Sequence, residues 1–205
     1  MLFSKLLPES PEKRGETMEG RSGKKSVLPV SIVRMNAYKH DADVFDLDQQ
    51  YEKNPFGLSK FQRLLTDNSM GKIVAVYSEK KEKESTVVGF AMFKFDGPSI
   101  EIQRLIVDES FRRGYVGTRL LKRIISELVG PKKFLKCFVE ESNKYAQLFL
   151  RKTFSEITER KNIFEDLWKD YYISYDRNGE KKYRNGIYFC YRKLDVAKYK
   201  IQSSP

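Results

Sequence analysis

Residues 99–128, SIEIQRLIVDESFRRGYVGTRLLKRIISEL, decide the fold. Ile100, Ile102, Leu105, Ile106 and Val107 make a dense apolar, largely β-branched run with Glu101 and Gln103 interleaved, which reads as a buried strand too short to be a helix. DESF is a polar turn, and RRGYVGT is a basic loop holding Gly114 and Gly117. Beyond it, Val116, Leu120, Leu121, Ile124, Ile125 and Leu128 recur at helical spacing, with Arg119, Lys122, Arg123 and Glu127 on the opposite face. The order is strand, tight basic loop, amphipathic helix.

That order has a chemical consequence. The first turn of a helix carries backbone N–H groups without intrahelical partners, at the electropositive end of the helix dipole. Two glycines allow close approach of a ligand, and Arg112, Arg113 and Arg119 add charge, so the stretch is suited to a phosphate or diphosphate. An ordinary basic turn before a surface helix fits the same residues. No G-K-[ST] follows, so it is not a Walker loop, and the glycines do not have G-x-G-x-x-G spacing.

Outward from this unit, the chain alternates strands and helices. Residues 1–26 are polar and aperiodic and read as a tail, residues 27–194 as one domain, and residues 195–205 as a loose end. Val27 to Arg34 is a first strand, with Pro29 suited to an edge. Short helices are expected over 41–51 and 58–65, and strands over 72–78 and 86–95, joined by the charged turn EKKEKES. Gly130-Pro131 stops the central helix, and Phe134 to Val139 is a strand. One crossover helix between two strands predicts a right-handed parallel βαβ unit, hence a mixed sheet. A helix follows, capped by Ser142 or Asn143, with Ala146, Phe149 and Leu150 inward. Phe154 to Glu159 is a candidate strand, and 186–193 the last one after an Asn178-Gly179 turn. Ile163 to Tyr175, rich in aromatic and acidic residues, fits an amphipathic helix packed on the sheet as one reading.

Composition narrows the function. Only one histidine, His40, and two separated cysteines, Cys137 and Cys190, occur, so His- or Cys-based catalysis, a disulfide framework and a metal site are poorly supplied. His40 reads as a surface residue. No apolar run is long enough to span a membrane, and the opening residues lack the pattern of a secretory signal, so the expected location is the cytoplasm, with the nucleus as an alternative. A net charge of +11 favours anionic ligands. The charges are scattered and no aromatic–basic stacking motif is present, which disfavours a nucleic-acid module.

The segment V-D-E-S-F-R-R-x-x-x-G-T-R-L-L after a strand resembles motif A of the Gcn5-related N-acetyltransferases, whose loop reads [QR]-x-x-G-x-[GA]. Arg112 and Gly117 match its ends. Tyr115 stands where the family usually has its first glycine; a positive φ there costs a tyrosine about 1–2 kcal/mol, so either Gly114 absorbs the turn or the loop is remodelled. E-E-S-N-K-Y-A-Q-L-F-L-R-K-T-F resembles motif B through Asn143, Ala146 and Phe154, with Leu150 in place of the usual tyrosine.

The resemblance implies an α/β acyl-CoA N-acyltransferase fold, a central mixed sheet with splayed parallel strands flanked by helices. It implies acetyl-CoA as co-substrate and no metal. The partner would be a primary amine, on a protein lysine or N-terminus or on a small molecule. It implies that the backbone of Leu105, Ile106 and Val107 meets the pantetheine arm, that the loop of Arg112, Arg113, Gly114, Tyr115, Val116, Gly117 and Thr118 meets the diphosphate, and that Asn143 contacts the arm. Glu101, eleven residues before Arg112, would be the base, with Gln103 beside it. Leu150 cannot donate a proton. Tyr171 and Tyr172 are candidates to reach in, and Tyr145 is badly placed on its helix. The resemblance also implies that Ile163 to Tyr175, if not a packed amphipathic helix, is the wall of the acceptor site, with Trp168, Tyr171 and Tyr172 placed to grip a peptide. A catalytically impaired CoA-binding or interaction module of the same fold is the alternative.

Overall fold

The computed structural model describes residues 29–78, 85–157, 163–175 and 178–193. Seven strands form one sheet in the order β1-β2-β3-β4-β5-β7-β6. They are β1 (Val30–Arg34), β2 (Met70–Ser78), β3 (Ser85–Asp96), β4 (Ser99–Val107), β5 (Phe134–Glu140), β6 (Ile163–Tyr175) and β7 (Lys181–Arg192). The helices are α1 (Ala37–Tyr51), α2 (Leu58–Thr66), α3 (Val116–Ser126) and α4 (Lys144–Ile157). All neighbouring strands are antiparallel except β4 and β5, which the α3 crossover joins in parallel. The mixed sheet expected from the sequence is therefore present, and β1, which follows Pro29, is an edge strand.

Two cores flank the sheet. On one face, Val116, Leu120, Leu121 and Ile124 of α3 and Leu150 and Phe154 of α4 pack on Ile100, Leu135, Phe189 and Tyr191. On the other, Val44 and Leu47 of α1 and Phe61 of α2 pack on Val74, Phe90, Met92 and Ile106. The unbroken burial of β3 from Val87 through Phe93 follows from helices on both faces.

Four expectations need correction. Phe154 is not in a strand: α4 continues to Ile157, because Leu150, Thr153 and Phe154 are buried at helical spacing. Ile163–Tyr175 is not a helix but β6, the sheet's second edge, paired along β7. β7 begins at Lys181, well before Gly186. His40 is buried, with Nδ1 accepting the Asn36 N–H at 3.1 Å, and burial lowers its pKa, with Lys39 adding to the effect. That contact belongs to the start of α1 at Ala37, where Asn36 also accepts from the Tyr38 N–H. The expectations for 1–26, for the charged β2–β3 turn at 79–84 and for 195–205 lie outside the described residues.

Candidate active site in the parting of two strands

β4 and β5 pair only from Ser99↔Phe134 to Ile102↔Cys137. Beyond that point β4 stays bonded to β3 as far as Val107, and β5 to β7 as far as Glu140. The facing edges of Gln103–Val107 and Phe138–Glu140 thus have no strand partner. A bulge accounts for the parting. On β3, Met92 and Phe93 face Arg104 and Ile102, so Gln103 is one residue too many on β4. A bulge bends its strand and raises the local twist. It also shifts the alternation: Ile100, Ile102, Leu105 and Val107 all turn to the α3 side, while Ile106 turns to α1.

At the open end of this gap the chain makes a tight turn into α3. Asp108 accepts the Ser110 N–H at 2.8 Å and takes the Tyr51 hydroxyl at 3.0 Å, pinning a single 3₁₀ turn, Glu109–Phe111, against the end of α1. Arg113 (φ 66°) and Tyr115 (φ 62°) are both left-handed. Gly114 does not absorb the turn; Tyr115 does, as the residue preceding α3, at about 1–2 kcal/mol of backbone strain. No side chain caps α3. The first-turn amides of Val116, Gly117 and Thr118 therefore present unpaired donors and the positive dipole end, a surface that fits a diphosphate.

Arg112 and Gly117 serve the loop differently from what charge and spacing suggest. Arg112 Nε donates to the Val107 carbonyl at 3.1 Å, and its guanidinium lies 5.0 Å from the centre of the Tyr51 ring. It braces the turn. A Cβ on Gly117 would stand 3.3 Å from two Phe149 ring carbons and 3.7 Å from a Val107 methyl. Its bareness lets α3 approach α4 and β4. Asn143 sits at the start of α4, its Oδ1 accepting the Ala146 N–H at 3.1 Å. Leu150 is buried in the core and Tyr145 points into solvent, so α4 offers no tyrosine hydroxyl to the gap.

Glu101 lies at the closed end, beside the last β4–β5 pairs, and is half-buried. Gln103 Nε2 donates to its Oε1 at 2.8 Å. Burial first, and then the Glu101 charge, raises the pKa of Tyr171; Tyr188 is raised by burial, by its hydrogen bond with Cys190 and by the same carboxylate. Both hydroxyls therefore stay protonated at neutral pH near Glu101.

An aromatic floor continues from there. Phe138, the first β5 residue past the last pair, lies flat against Tyr171, with ring centroids 4.0 Å apart and planes at 8°, and touches Trp168 and Tyr188 at 5.2 and 4.9 Å. Tyr171 reaches this position through a bulge: pairing of β6 with β7 jumps from Trp168↔Gly186 to Tyr172↔Arg184, and Asp170 takes φ 52°. The Asp170 N–H is held by Asn185 Oδ1 at 3.1 Å. Gly186 makes the room, since a Cβ there would lie 3.1 Å from both Tyr171 and Tyr172. Lys53, after α1, approaches Glu140 of β5 at 3.7 Å and bounds the opposite side.

Sequence reading missed a buried pair beneath this groove. Asp48, fully buried on α1, accepts from Arg104 Nε at 3.1 Å and from the Phe56 N–H at 2.6 Å. Arg104 also donates to the Asn54 carbonyl at 2.7 Å and lies 4.1 Å from the Phe56 ring centre. The signal was Asp48 on the apolar stripe Val44, Leu47, Tyr51, and an arginine inside an apolar strand.

Comparison with known proteins agrees with this architecture. The family model described as Acetyltransferase (GNAT) family matches residues 38–155. No curated protein matches the chain in sequence. Among solved structures, Arabidopsis thaliana NAA60 in complex with a bisubstrate analogue has TM-score 0.65 at 13% identity, covering 80% of this chain and 97% of that one. Ard1 from Thermoplasma volcanium has TM-score 0.62 at 18% identity, with 82% and 100% covered. Diaminobutyrate acetyltransferase EctA from Paenibacillus lautus, in complex with L-2,4-diaminobutyric acid and coenzyme A, has TM-score 0.57 at 18% identity, with 82% and 98% covered. With the matched span running from α1 to the end of α4, and so through both the parted strands and the α3 turn, the chain belongs to the GNAT acetyltransferase family.

Proposed function

We propose that this protein is an acetyl-CoA-dependent N-acetyltransferase acting on a primary amine of a protein or a small molecule. One observation carries the reading: β4 and β5 part after Ile102 and Cys137, with an uncapped helix N-terminus at the open end and a carboxylate at the closed end. When bound, acetyl-CoA supplies an activated acyl group on a thiolate leaving group.

The chain's own groups have separable tasks. First-turn amides of Val116, Gly117 and Thr118, together with the turn Arg113-Gly114-Tyr115, hold the diphosphate. The β4 edge at Leu105, Ile106 and Val107 offers main-chain donors and acceptors to an extended amide-containing arm, as a neighbouring strand would. Asn143 flanks that arm from the start of α4. A main-chain N–H in the gap stabilises the acyl oxygen as it gains charge. Glu101 takes the proton of the incoming ammonium, and Gln103 fixes its carboxylate.

Calorimetric titration with acetyl-CoA tests the first half, and transfer of radiolabelled acetyl to an amine panel tests the second. Absence of binding at millimolar acetyl-CoA overturns the reading. Binding without transfer to any amine favours instead an impaired module of the same fold, a reading supported by Leu150, an apolar residue buried where the motif B resemblance leads one to expect a tyrosine.

A further inference from the structure

Glu101 has a lysine on each side. The sheet register pairs it with Lys94 of β3 and with Lys136 of β5, so the three stand in one row, each backbone about 5 Å from the next. They also share a face. Phe93, Ile100, Ile102, Leu135 and Cys137, their neighbours along the strands, pack into the core under α3 and α4, which turns the row to the opposite side of the sheet, the side of Phe138 and Tyr171.

The row is not a closed ion pair. Glu101 takes its hydrogen bond from Gln103, and the half-buried Lys136 makes no hydrogen bond or ion pair with any described residue. Lys94 is exposed and lies near Asp67, an acid that Lys72 also approaches. Asp96 ends β3 one row further out, where Arg192 stands across the sheet against the Phe134 ring. Cations therefore outnumber acids around Glu101.

An ammonium group drawn to Glu101 meets Lys136 on one side and Lys94 on the other, and like charges at this range repel. The acids of the neighbouring strands do not offset them. Glu140, four residues along β5, is matched by Arg184 and Lys53. Asp166 of β6 lies three strands across from Glu101, roughly 15 Å away, past the Debye length of about 8 Å at physiological salt. Every charge in the row is satisfied by an acceptor that brings its own anion. Its amine meets Glu101, and its carboxylate meets Lys136, whose flexible four-carbon stem lets the ammonium follow it.

We infer that the acceptor is an amine with a carboxylate a few bonds away, and that Lys136 binds that carboxylate while Glu101 receives the amine. This rests on the acetyl-transfer reading. A free amino acid and the acidic first residue of a peptide both have this chemistry.

The test uses the full chain, acetyl-CoA and two pairs of acceptors matched in shape: glycine against glycinamide, and heptapeptides beginning with Asp against the same peptides beginning with Asn. Wild type is expected to have a kcat/KM about tenfold higher for the acid in one pair, the first pair marking a free amino acid and the second a peptide. Glycinamide has the less basic amine, so a preference for glycine does not come from easier deprotonation. Lys136→Arg is expected to keep the preference, Lys136→Met to erase it and Lys136→Glu to invert it. Each ratio is read on a single sample, so a loss of active protein cancels. In wild type, raising NaCl from about 0.05 M to about 0.5 M is expected to shrink the preference several-fold. Equal use of acid and amide by wild type in both pairs, or a preference that survives Lys136→Met or high salt, overturns the inference while leaving acetyl transfer standing. Acetyl-CoA binding with no transfer to any amine, n-butylamine included, removes the acetyl-transfer reading, and this inference with it.

Discussion

Asp48 of α1 and Arg104 of β4, 56 residues apart in the chain, meet at 3.1 Å with the aspartate wholly buried. The pair fixes α1 to the strand that carries Glu101, and the remaining Asp48 oxygen holds the Phe56 N–H, so it also shapes the α1–α2 connection. Removing one partner strands a charge in the protein interior, which typically costs 3–5 kcal/mol. Asp48→Ala is expected to destabilise by about that amount in urea unfolding. A double variant, Asp48→Leu with Arg104→Met, is expected to recover most of the loss. A single variant within about 1 kcal/mol of wild type removes the pair as a structural tie.

Replacing the proposed base separates chemistry from binding. Glu101→Gln is expected to lower the transfer rate about 10²–10⁴-fold, with acetyl-CoA affinity changed little. Calorimetry and single-turnover kinetics on the same sample read the two effects. An undiminished rate across pH 6–9, a window of about three units around neutrality, assigns proton removal elsewhere.

The packing of Gly117 predicts a graded response. Gly117→Ala gains about 0.8–1 kcal/mol of helix propensity and meets a Phe149 ring that has only a few tenths of an ångström to yield, so it is expected to be near neutral. Gly117→Val overfills the contact with Phe149 and Val107 and is expected to cost about 1–3 kcal/mol. Denaturant midpoints at constant m decide this.

Stability is expected to decline at alkaline pH. Tyr171, Tyr172 and Tyr188 all have pKa values raised above the ordinary 10.0, chiefly by burial. A raised folded pKa contributes stability that is fully present below the unfolded value and lost as pH climbs from there through the folded value. Unfolding free energy is therefore expected to be flat approaching pH 10.0 and to fall above it. Phe at 172, the most enclosed of the three, is expected to flatten that fall. An identical alkaline limb in Tyr172→Phe assigns the loss to other groups.

Much of this site was legible in residues 99–128 because there local pattern and tertiary role coincide. β-branched density makes β4, and periodicity makes α3. The β4 bulge was not legible, since Gln103 looks like an ordinary alternating polar residue and becomes supernumerary only against β3. The turn departs in the same way: glycine content pointed to Gly114, yet the left-handed residues are Arg113 and Tyr115, fixed by the 3₁₀ turn before them and the anchored helix after. β6 was hidden because its bulge at 169–171 interrupts the period of two and because an edge strand shows no apolar face of its own. Phe138 and Tyr188 drew no notice, since aromatic residues in apolar strands ordinarily signify core.

The halves of the sheet, β1 to β4 and β5 with β7 and β6, are zipped together along only the short Ser99–Ile102 stretch. Past it they stand apart like the jaws of a clothes-peg, with α3 and Phe149 wedged beneath and no strand between. Anything bearing amides that slips into that slot becomes, in effect, an eighth strand, knitting the jaws into a continuous fabric. Amide exchange at Leu105, Ile106, Phe138 and Val139 should therefore slow when the slot is filled, recording occupancy even where no chemistry follows.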